Sequence, residues 1–166
     1  AEPRAVHGSE GHARLKQLMH RGTDFLGCDI AIMGGAMSWV SERNLVSAIS
    51  NAGGFGVIAC GAMTPDLLDT EIAETKKRTD RPFGVNLITM HPMLSELIDT
   101  CARHEVGHVV LAGGLPPGGA IERIKAGGAK LICFAPALSL AKKLMRSGAD
   151  ALVIEGMEAG GHIGPV

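Results

Sequence analysis

The most constraining feature of the 166-residue sequence is a series of six short apolar segments, each followed by a segment with helical periodicity, at intervals of roughly 20 to 28 residues. Each apolar segment is too short for a helix, and it is hydrophobic throughout rather than alternating, as expected for parallel strands covered on both faces. The predicted strands span 30–33, 55–59, 83–87, 108–111, 130–134 and 151–154. The sequence therefore predicts an α/β fold built from β/α units.

Helix signals lie between the strands. Ser41 is the predicted N-cap of a helix over 42–51, and Thr64 followed by Pro65 predicts the start of a helix that reaches residue 78. Further helices are predicted over 93–104, 120–125 and 138–146. A first helix over 12–21 belongs to an N-terminal extension, residues 1–26, which we expect to lie on the outside or at the bottom of a single domain, residues 27–166.

Residues at the carboxyl ends of the predicted strands favour a barrel over an open sheet. An open sheet concentrates its binding site at one switch point, whereas a TIM barrel builds its site from a ring of strand ends. Polar or glycine-rich residues follow nearly every strand: Gly34-Gly35, Asn86, Gly113-Gly114, Pro136 and Glu155. Because a (β/α)8 barrel needs about 250 residues, we expect this chain to supply about the first six units, with the last two absent. A smaller open α/β domain is the alternative.

The segment 149–164 carries the densest functional signal. It opens as a strand, reaches Glu155, and then places four glycines around His162. Glycines at this density turn the chain sharply or let the backbone approach a flat or anionic ligand. A histidine in such a loop, beside a carboxylate, has the ingredients of a general acid or base. The alternative is a plain glycine-rich turn with a solvated histidine.

Four motifs, in this order, resemble those of the nitronate monooxygenase (2-nitropropane dioxygenase) superfamily, which also contains the flavin-dependent enoyl-acyl-carrier-protein reductase II. The motifs are Gly34-Gly35-Ala36-Met37-Ser38-Trp39-Val40, Ala48-Ile49-Ser50-Asn51-Ala52-Gly53-Gly54-Phe55-Gly56, Arg81-Pro82-Phe83-Gly84-Val85-Asn86-Leu87 and Glu155-Gly156-Met157-Glu158-Ala159-Gly160-Gly161-His162-Ile163-Gly164. The resemblance covers about residues 28–166 and implies an FMN-binding TIM barrel. Strands seven and eight, whose loops would hold the FMN phosphate, are missing from the chain.

The resemblance also implies roles for individual positions. Those implied to lie against the flavin are Ala36, Met37, Asn86, Glu155, Gly160 and Gly161. His162 corresponds to the catalytic histidine near the reactive edge of the isoalloxazine.

Two chemistries compete within the superfamily. In a reductase, NAD(P)H reduces FMN, the flavin passes hydride to the β-carbon of an enoyl thioester, and His162 donates the proton at the α-carbon. In a nitronate monooxygenase, His162 acts as base or electrostatic partner for a nitro compound while the reduced flavin reacts with oxygen. The segment 34–40 and Met157 resemble the reductase branch more closely. A third interpretation is a non-catalytic flavodomain fragment, or half of a split barrel.

Composition excludes other classes of protein. A net charge of −1 with scattered basic residues and an aromatic content of 3% argue against nucleic-acid binding. No apolar stretch approaches the roughly 20 residues of a membrane span. Four cysteines without a Cys-x-x-Cys pair favour reduced thiols and a cytoplasmic location. We expect a small-molecule or acyl-thioester substrate, and we allow for a homodimer.

Two further motifs are weaker. The segment His104-Glu105-Val106-Gly107-His108 matches the zinc-protease pattern, but Gly107 and the following strand interrupt the continuous helix which that pattern requires, so no metal site is predicted. The loop 113–119 lacks the ending of a phosphate-binding P-loop and is interpreted as part of the substrate mouth. His91 either reaches the substrate or caps the next helix.

Overall fold

The computed structural model describes residues 8–161, so His162 lies outside the described residues. Within them, six helices alternate with six strands. The helices are α1 (Gly8–Leu26), α2 (Arg43–Asn51), α3 (Pro65–Lys76), α4 (Leu94–Arg103), α5 (Ala120–Ala126) and α6 (Leu138–Arg146). The strands are β1 (Met33–Gly34), β2 (Phe55–Ala59), β3 (Phe83–Ile88), β4 (His108–Ala112), β5 (Lys130–Phe134) and β6 (Ala151–Val153). In this part of the chain, no helix combines the length and apolarity needed to cross a membrane.

All six strands belong to one parallel sheet, and their spatial order is their order in the chain. In the register of the sheet, Asn86 of β3 lies between Ala59 of β2 and Val110 of β4. Because each connection returns through a helix, all the carboxyl ends lie at the same edge. A sequential order without a reversal is that of a barrel rather than of a doubly wound sheet. The predicted partial TIM barrel is therefore confirmed as a half-barrel of six units.

The core has two layers, one on each face of the sheet. On the outer face, strand residues such as Leu87 and Leu131 pack against the helices and are fully buried. On the inner face, Phe55, Val110 and Ile132 form a smaller cluster that also includes residues at and just after the end of α1. Burial on both faces explains why the strands are apolar at every position.

The first strand begins later than predicted. Only Met33–Gly34 joins the ladder. The N–H groups of Asp29 and Ile30 both donate to the carbonyl of Gly53, at 3.0 and 2.9 Å. The chain therefore bends where the strand was predicted to start. As β1 is an edge strand, Ile32 beside it remains 60% exposed. Apolar composition alone was therefore the wrong signal for the start of β1.

The cap of α2 also differs from the prediction. Glu42, not Ser41, is the N-cap, and its carboxylate accepts hydrogen bonds from the N–H groups of Asn44 and Leu45. Ser41 lies one residue too early and is used in the preceding loop. The predicted cap of α3 by Thr64 is confirmed.

Ion pairs connect consecutive helices around the outside of the half-barrel. Three pairs join neighbouring helices: Arg43–Glu71, Arg103–Asp69 and Arg123–Asp99. A fourth, Lys125–Asp150, joins α5 to the residue before β6. Most are exposed and contribute little to stability. Glu71 is the exception, at 6% exposure. Burial by itself would raise the pKa of Glu71, but hydrogen bonds from Arg43 more than offset that effect and hold the pKa below its ordinary value.

The end of α1 contacts the amino edge of the sheet. The carbonyl oxygen of Phe25 accepts hydrogen bonds from His108 Nε2 at 2.8 Å and from Lys130 Nζ at 2.7 Å. The rings of Phe25 and Phe55 both meet the His108 ring edge-on, with centroids 5.4 and 4.9 Å away. Burial lowers the pKa of His108. A carbonyl oxygen can only accept, so the neutral ring carries its proton on Nε2.

Candidate active site

The sequence-predicted cofactor residues all lie at the carboxyl edge of the sheet. Ala36 and Met37 follow β1, Asn86 lies within β3, and Glu155 follows β6. The structure places them on one edge but not in one contact cluster, because β1 and β6 are at opposite ends of the strand order. Asn86 occupies the middle of that edge.

Asn86 is the buried polar residue of the site, with 8% of its surface exposed. Its neighbours in β3, Val85 and Leu87, pack outwards against the helices, so Asn86 lies on the inner face of the sheet. Its Nδ2 donates to the carbonyl oxygen of Val110 at 3.2 Å. This bond fixes the carboxamide and leaves Oδ1 as an acceptor that no donor from the described residues meets.

Ser41 organises the loop after β1. Its hydroxyl accepts a hydrogen bond from the N–H of Met37 at 2.9 Å and donates to the carbonyl of Gly35 at 3.1 Å. The carbonyl of Ser41 accepts from the N–H of Ala59 in β2. The backbone that carries Ala36 is therefore held between two strands. The sequence analysis assigned Ser41 to a helix cap and missed this role, because the true cap, Glu42, is the next residue in the chain.

Thr89 joins the loops that follow β3 and β4. Its hydroxyl donates to the carbonyl of Gly113 at 2.7 Å, and its N–H donates to the carbonyl of Ala112 at 2.8 Å. Gly113 has a φ of +100°, and a Cβ there would lie 2.8 Å from the Thr89 hydroxyl, so only glycine fits. No pattern in the sequence pointed to Thr89.

His91 accepts at Nδ1 from the N–H of Met93 at 3.1 Å. Of the two predicted roles of His91, this is the capping role before α4.

The loop after β6 is folded back on itself. Glu158 accepts from the N–H of Gly156 at 3.0 Å, and backbone hydrogen bonds from its own N–H and that of Gly156 lower its pKa. Glu155 is half-buried. Gly160 and Gly161 have no heavy atom within 4 Å of an added Cβ, and Gly161 has a φ of +77°. This stretch of backbone is open for a flat ligand to approach.

Exposed apolar side chains concentrate on the loops at the carboxyl edge. We call this set the apolar rim. Its members are Met37, Trp39, Val40, Met90, Leu115, Leu138, Ile154 and Met157. Their exposed fractions run from 50% at Met37 to 82% at Ile154. An accumulation of exposed apolar surface around a polar centre is typical of a ligand-binding site.

The two histidines of the zinc-protease pattern have separate structural partners. His104 caps the end of α4, and its Nε2 lies 2.9 Å from Asp69 Oδ1. His108 begins β4 and bonds a backbone carbonyl at the end of α1. The two straddle a helix-to-strand turn, as predicted. Among residues 8–161, no group of three or more His, Cys, Asp or Glu side chains is placed to hold a metal ion.

The cysteines are buried free thiols. Burial raises the pKa of Cys60 and of Cys101 to about 12. Both stay protonated near neutral pH, and a thiol in that state is a poor nucleophile. These two thiols therefore offer no nucleophile for catalysis.

Comparisons with known proteins agree with this architecture. The model of the nitronate monooxygenase family matches residues 20–112 and 95–166. A 5-hydroxy-7a-methyl-1-oxo-octahydro-1H-indene-4-carboxyl-CoA dehydrogenase of Mycobacterium tuberculosis is 37% identical over 144 residues, which cover 87% of this chain and 40% of that protein.

Two solved structures are similar to the half-barrel. A mutant of FabK from Thermotoga maritima superimposes with a TM-score of 0.83 at 42% identity, covering 88% of this chain and 49% of that one. A nitroalkane oxidase from Streptomyces ansochromogenes gives a TM-score of 0.77 at 26% identity, covering 86% of this chain and 50% of that one. The chain thus spans about half the length of these proteins or less. Since the two matches to the family model together cover residues 20–166, the chain belongs to the nitronate monooxygenase family.

Proposed function

We propose that the protein is an FMN-dependent oxidoreductase that uses NAD(P)H to reduce an enoyl thioester. The observation that carries the proposal is that the implied flavin-contacting residues Ala36, Asn86 and Glu155 all lie at one carboxyl edge of a single parallel sheet. That edge is where TIM-barrel enzymes build their active sites.

The described residues fit a flavin. The unpartnered Oδ1 of Asn86 would accept a hydrogen bond from an N–H of the isoalloxazine ring. Gly35, Gly160 and Gly161 leave open space where side chains would otherwise stand, so the backbone can lie along a flat ring. Met37, half exposed on the rigid loop after β1, would pack against the ring face.

When bound, FMN supplies hydride transfer from the nicotinamide to the β-carbon of the enoyl group. The chain's own residues would supply a proton and would hold the flavin ring in place. His162 would donate a proton to the α-carbon as negative charge develops there. Asn86 and the loop held by Ser41 would keep the ring, and thus the reacting carbon, at a fixed distance from that proton.

The reductase reaction is favoured by the ranking of the relatives. FabK, at 42% identity, is more similar than the nitroalkane oxidase, at 26%. The Mycobacterium tuberculosis relative is by name a dehydrogenase of an indene-carboxyl-CoA thioester and shares 37% identity, against 29% for a nitronate monooxygenase of Paraburkholderia phytofirmans.

Oxidation of nitroalkanes or nitronates with O2 is the second candidate, supported by the 0.77 TM-score to the nitroalkane oxidase. There His162 would act as base or electrostatic partner for the nitro compound. A non-catalytic flavodomain or half of a split barrel is the third. We also propose a cytoplasmic location, since buried free thiols suit a reducing compartment, and a homodimer as the assembly to test by size exclusion.

Anaerobic stopped-flow absorbance of the FMN-loaded protein tests the proposal. Mixing with NADH or NADPH should bleach the flavin, and subsequent crotonyl-CoA should reoxidise it. If only a nitroalkane reduces the flavin, the second candidate replaces the first. If no FMN binds, the enzyme interpretation fails.

A further inference from the structure

Trp39 occupies a backbone conformation that tryptophan normally avoids. Its φ is +65°, and it is one of two non-glycine residues with positive φ in the described part of the chain, the other being Glu105 in a distant turn. In the left-handed region the Cβ crowds the following carbonyl, so a bulky residue there is under strain. Strain of this kind is retained where the surrounding structure enforces it, and it clusters at functional sites.

The turn that contains Trp39 enforces this conformation. The N–H of Val40 donates to the carbonyl of Met37 at 3.0 Å, and the N–H of Ser41 donates to the same oxygen at 2.8 Å. The Ser41 hydroxyl bonds both ends of the loop, at Gly35 and Met37. These bonds stabilise the turn in the conformation that gives Trp39 its positive φ. The indole is therefore presented by a fixed turn.

The indole so presented is 73% exposed. Met37 and Val40, on either side, are 50% and 52% exposed. The turn starts directly after Ala36, which the proposed function places along the flavin. Trp39 is thus a large, flat, apolar surface held at the carboxyl edge, and the loops after β3 and β4 on the same edge add Met90 and Leu115. Burying an exposed aromatic surface of this size against an apolar group is favourable.

We propose that Trp39 is a specificity-determining residue, whose indole packs against the apolar acyl part of the substrate beyond its reacting carbons and so favours long acyl groups over short ones. The inference deepens the proposed function and rests on it. A long acyl chain is the occupant that the apolar rim suits, because a short polar molecule would leave most of that surface in water.

The kinetic test compares Trp39→Ala with Trp39→Phe in the FMN-loaded protein, using octenoyl-CoA and crotonyl-CoA. In Trp39→Ala, the ratio of kcat/KM for octenoyl-CoA to that for crotonyl-CoA should fall about tenfold, through KM rather than kcat. In Trp39→Phe, which keeps an aromatic face, the ratio should stay within about threefold of wild type. An unchanged ratio in Trp39→Ala overturns the inference.

A binding test needs no turnover. Trp39 is the single tryptophan of the sequence, so its emission reports on the indole alone. Saturated octanoyl-CoA, which cannot be reduced, should shift that emission to shorter wavelength, while acetyl-CoA should not. Equal responses to the two thioesters contradict the inference.

Trp39→Gly provides the matched control for fold. Glycine tolerates a positive φ, so this variant should unfold at a higher temperature than Trp39→Ala, while both lose the preference for octenoyl-CoA. If flavin reduction by NAD(P)H fails in the wild-type protein, the proposed function is wrong, but the emission test still decides whether the indole contacts an acyl chain.

Discussion

The two edges of the sheet are built in opposite ways. At the amino edge, the Phe25 carbonyl, the buried His108 ring and the ring of Phe55 form a closed contact of hydrogen bonds and aromatic edges. At the carboxyl edge, the loops expose an apolar rim, glycines stand in open space, and Trp39 is held in a strained conformation. Both edges end the same strands, so the difference lies in the residues and not in the fold.

This contrast separates stability from function. Satisfied, buried groups at the amino edge stabilise the sheet and offer nothing to a ligand. Open glycines and exposed apolar side chains contribute little to the free energy of folding, and they acquire favourable contacts only when something binds. In a TIM barrel, active-site residues at the carboxyl ends can vary while the opposite end maintains the barrel. The following substitutions test whether the two edges are separable in this chain.

The largest effect should come from His162→Ala. Removing a general acid lowers kcat by about 10² to 10⁴. The dissociation constant for FMN and the free energy of unfolding should both stay close to wild type, since the role that the resemblance implies for His162 is proton transfer and not flavin binding. Steady-state kinetics and urea denaturation measure the two quantities. A variant with wild-type rates would refute the assigned role.

Phe55→Ala should have the inverse effect. Phe55 is fully buried at the amino edge, so truncation should lower the free energy of unfolding by about 3 to 5 kcal/mol. Met90→Ala, on the apolar rim at 81% exposure, is the control and should change stability by about 0.5 kcal/mol or less. Urea unfolding curves compare them, and equal losses would mean that the two edges are not energetically distinct.

Ser41→Ala tests a residue at the carboxyl edge that is buried and hydrogen-bonded, as the residues of the amino edge are. Only 3% of the surface of Ser41 is exposed. It leaves the N–H of Met37 and the carbonyl of Gly35 unpartnered, which should cost about 1 to 3 kcal/mol of stability and weaken FMN binding. Ser38→Ala, in the same loop but exposed, is the matched control. If both variants bind FMN as wild type does, Ser41 does not position the site.

The smallest effect is a pH dependence at the amino edge. Burial lowers the pKa of His108 in the folded protein below its ordinary value of 6.5, so below that pH the unfolded chain binds more protons. The contribution of His108 to the free energy of unfolding is therefore fully present above pH 6.5. It falls as the pH drops from there towards the pKa of the folded state, by up to about 1.4 kcal/mol per pH unit. His108→Gln should flatten this slope, and a slope unchanged in that variant would exclude His108 as its source.

The sequence predicted the repeat well because parallel strands buried on both faces carry a strong composition signal. The bounds of β5 and α6 were predicted correctly to the residue. The start of β1 was predicted too early because the carbonyl of Gly53, which is distant in sequence, accepts from the N–H groups of Asp29 and Ile30 and turns the chain there. The ladder with β2 begins only at Met33. Contacts of this kind are set by tertiary structure, which local pattern does not encode.

The candidate site was predictable only in part. Asn86 and Glu155 could be named because Asn86 lies near the carboxyl end of a strand and Glu155 follows one, and the carboxyl ends of these strands were predictable. Ser41 and Thr89 were missed because their roles depend on hydroxyl hydrogen bonds to backbone carbonyls in loops. The role of His162 stays a prediction from the resemblance, since it lies outside the described residues.

The measurement that most directly tests the division between the two edges is a calorimetric titration of FMN into three proteins: wild type, Asn86→Leu and His108→Gln. We expect the wild type and His108→Gln to bind FMN with similar affinity. Asn86→Leu removes the carboxamide at the centre of the carboxyl edge and should weaken binding at least about tenfold. Equal binding by Asn86→Leu, or a loss of binding in His108→Gln alone, would contradict the assignment of the flavin to the carboxyl edge.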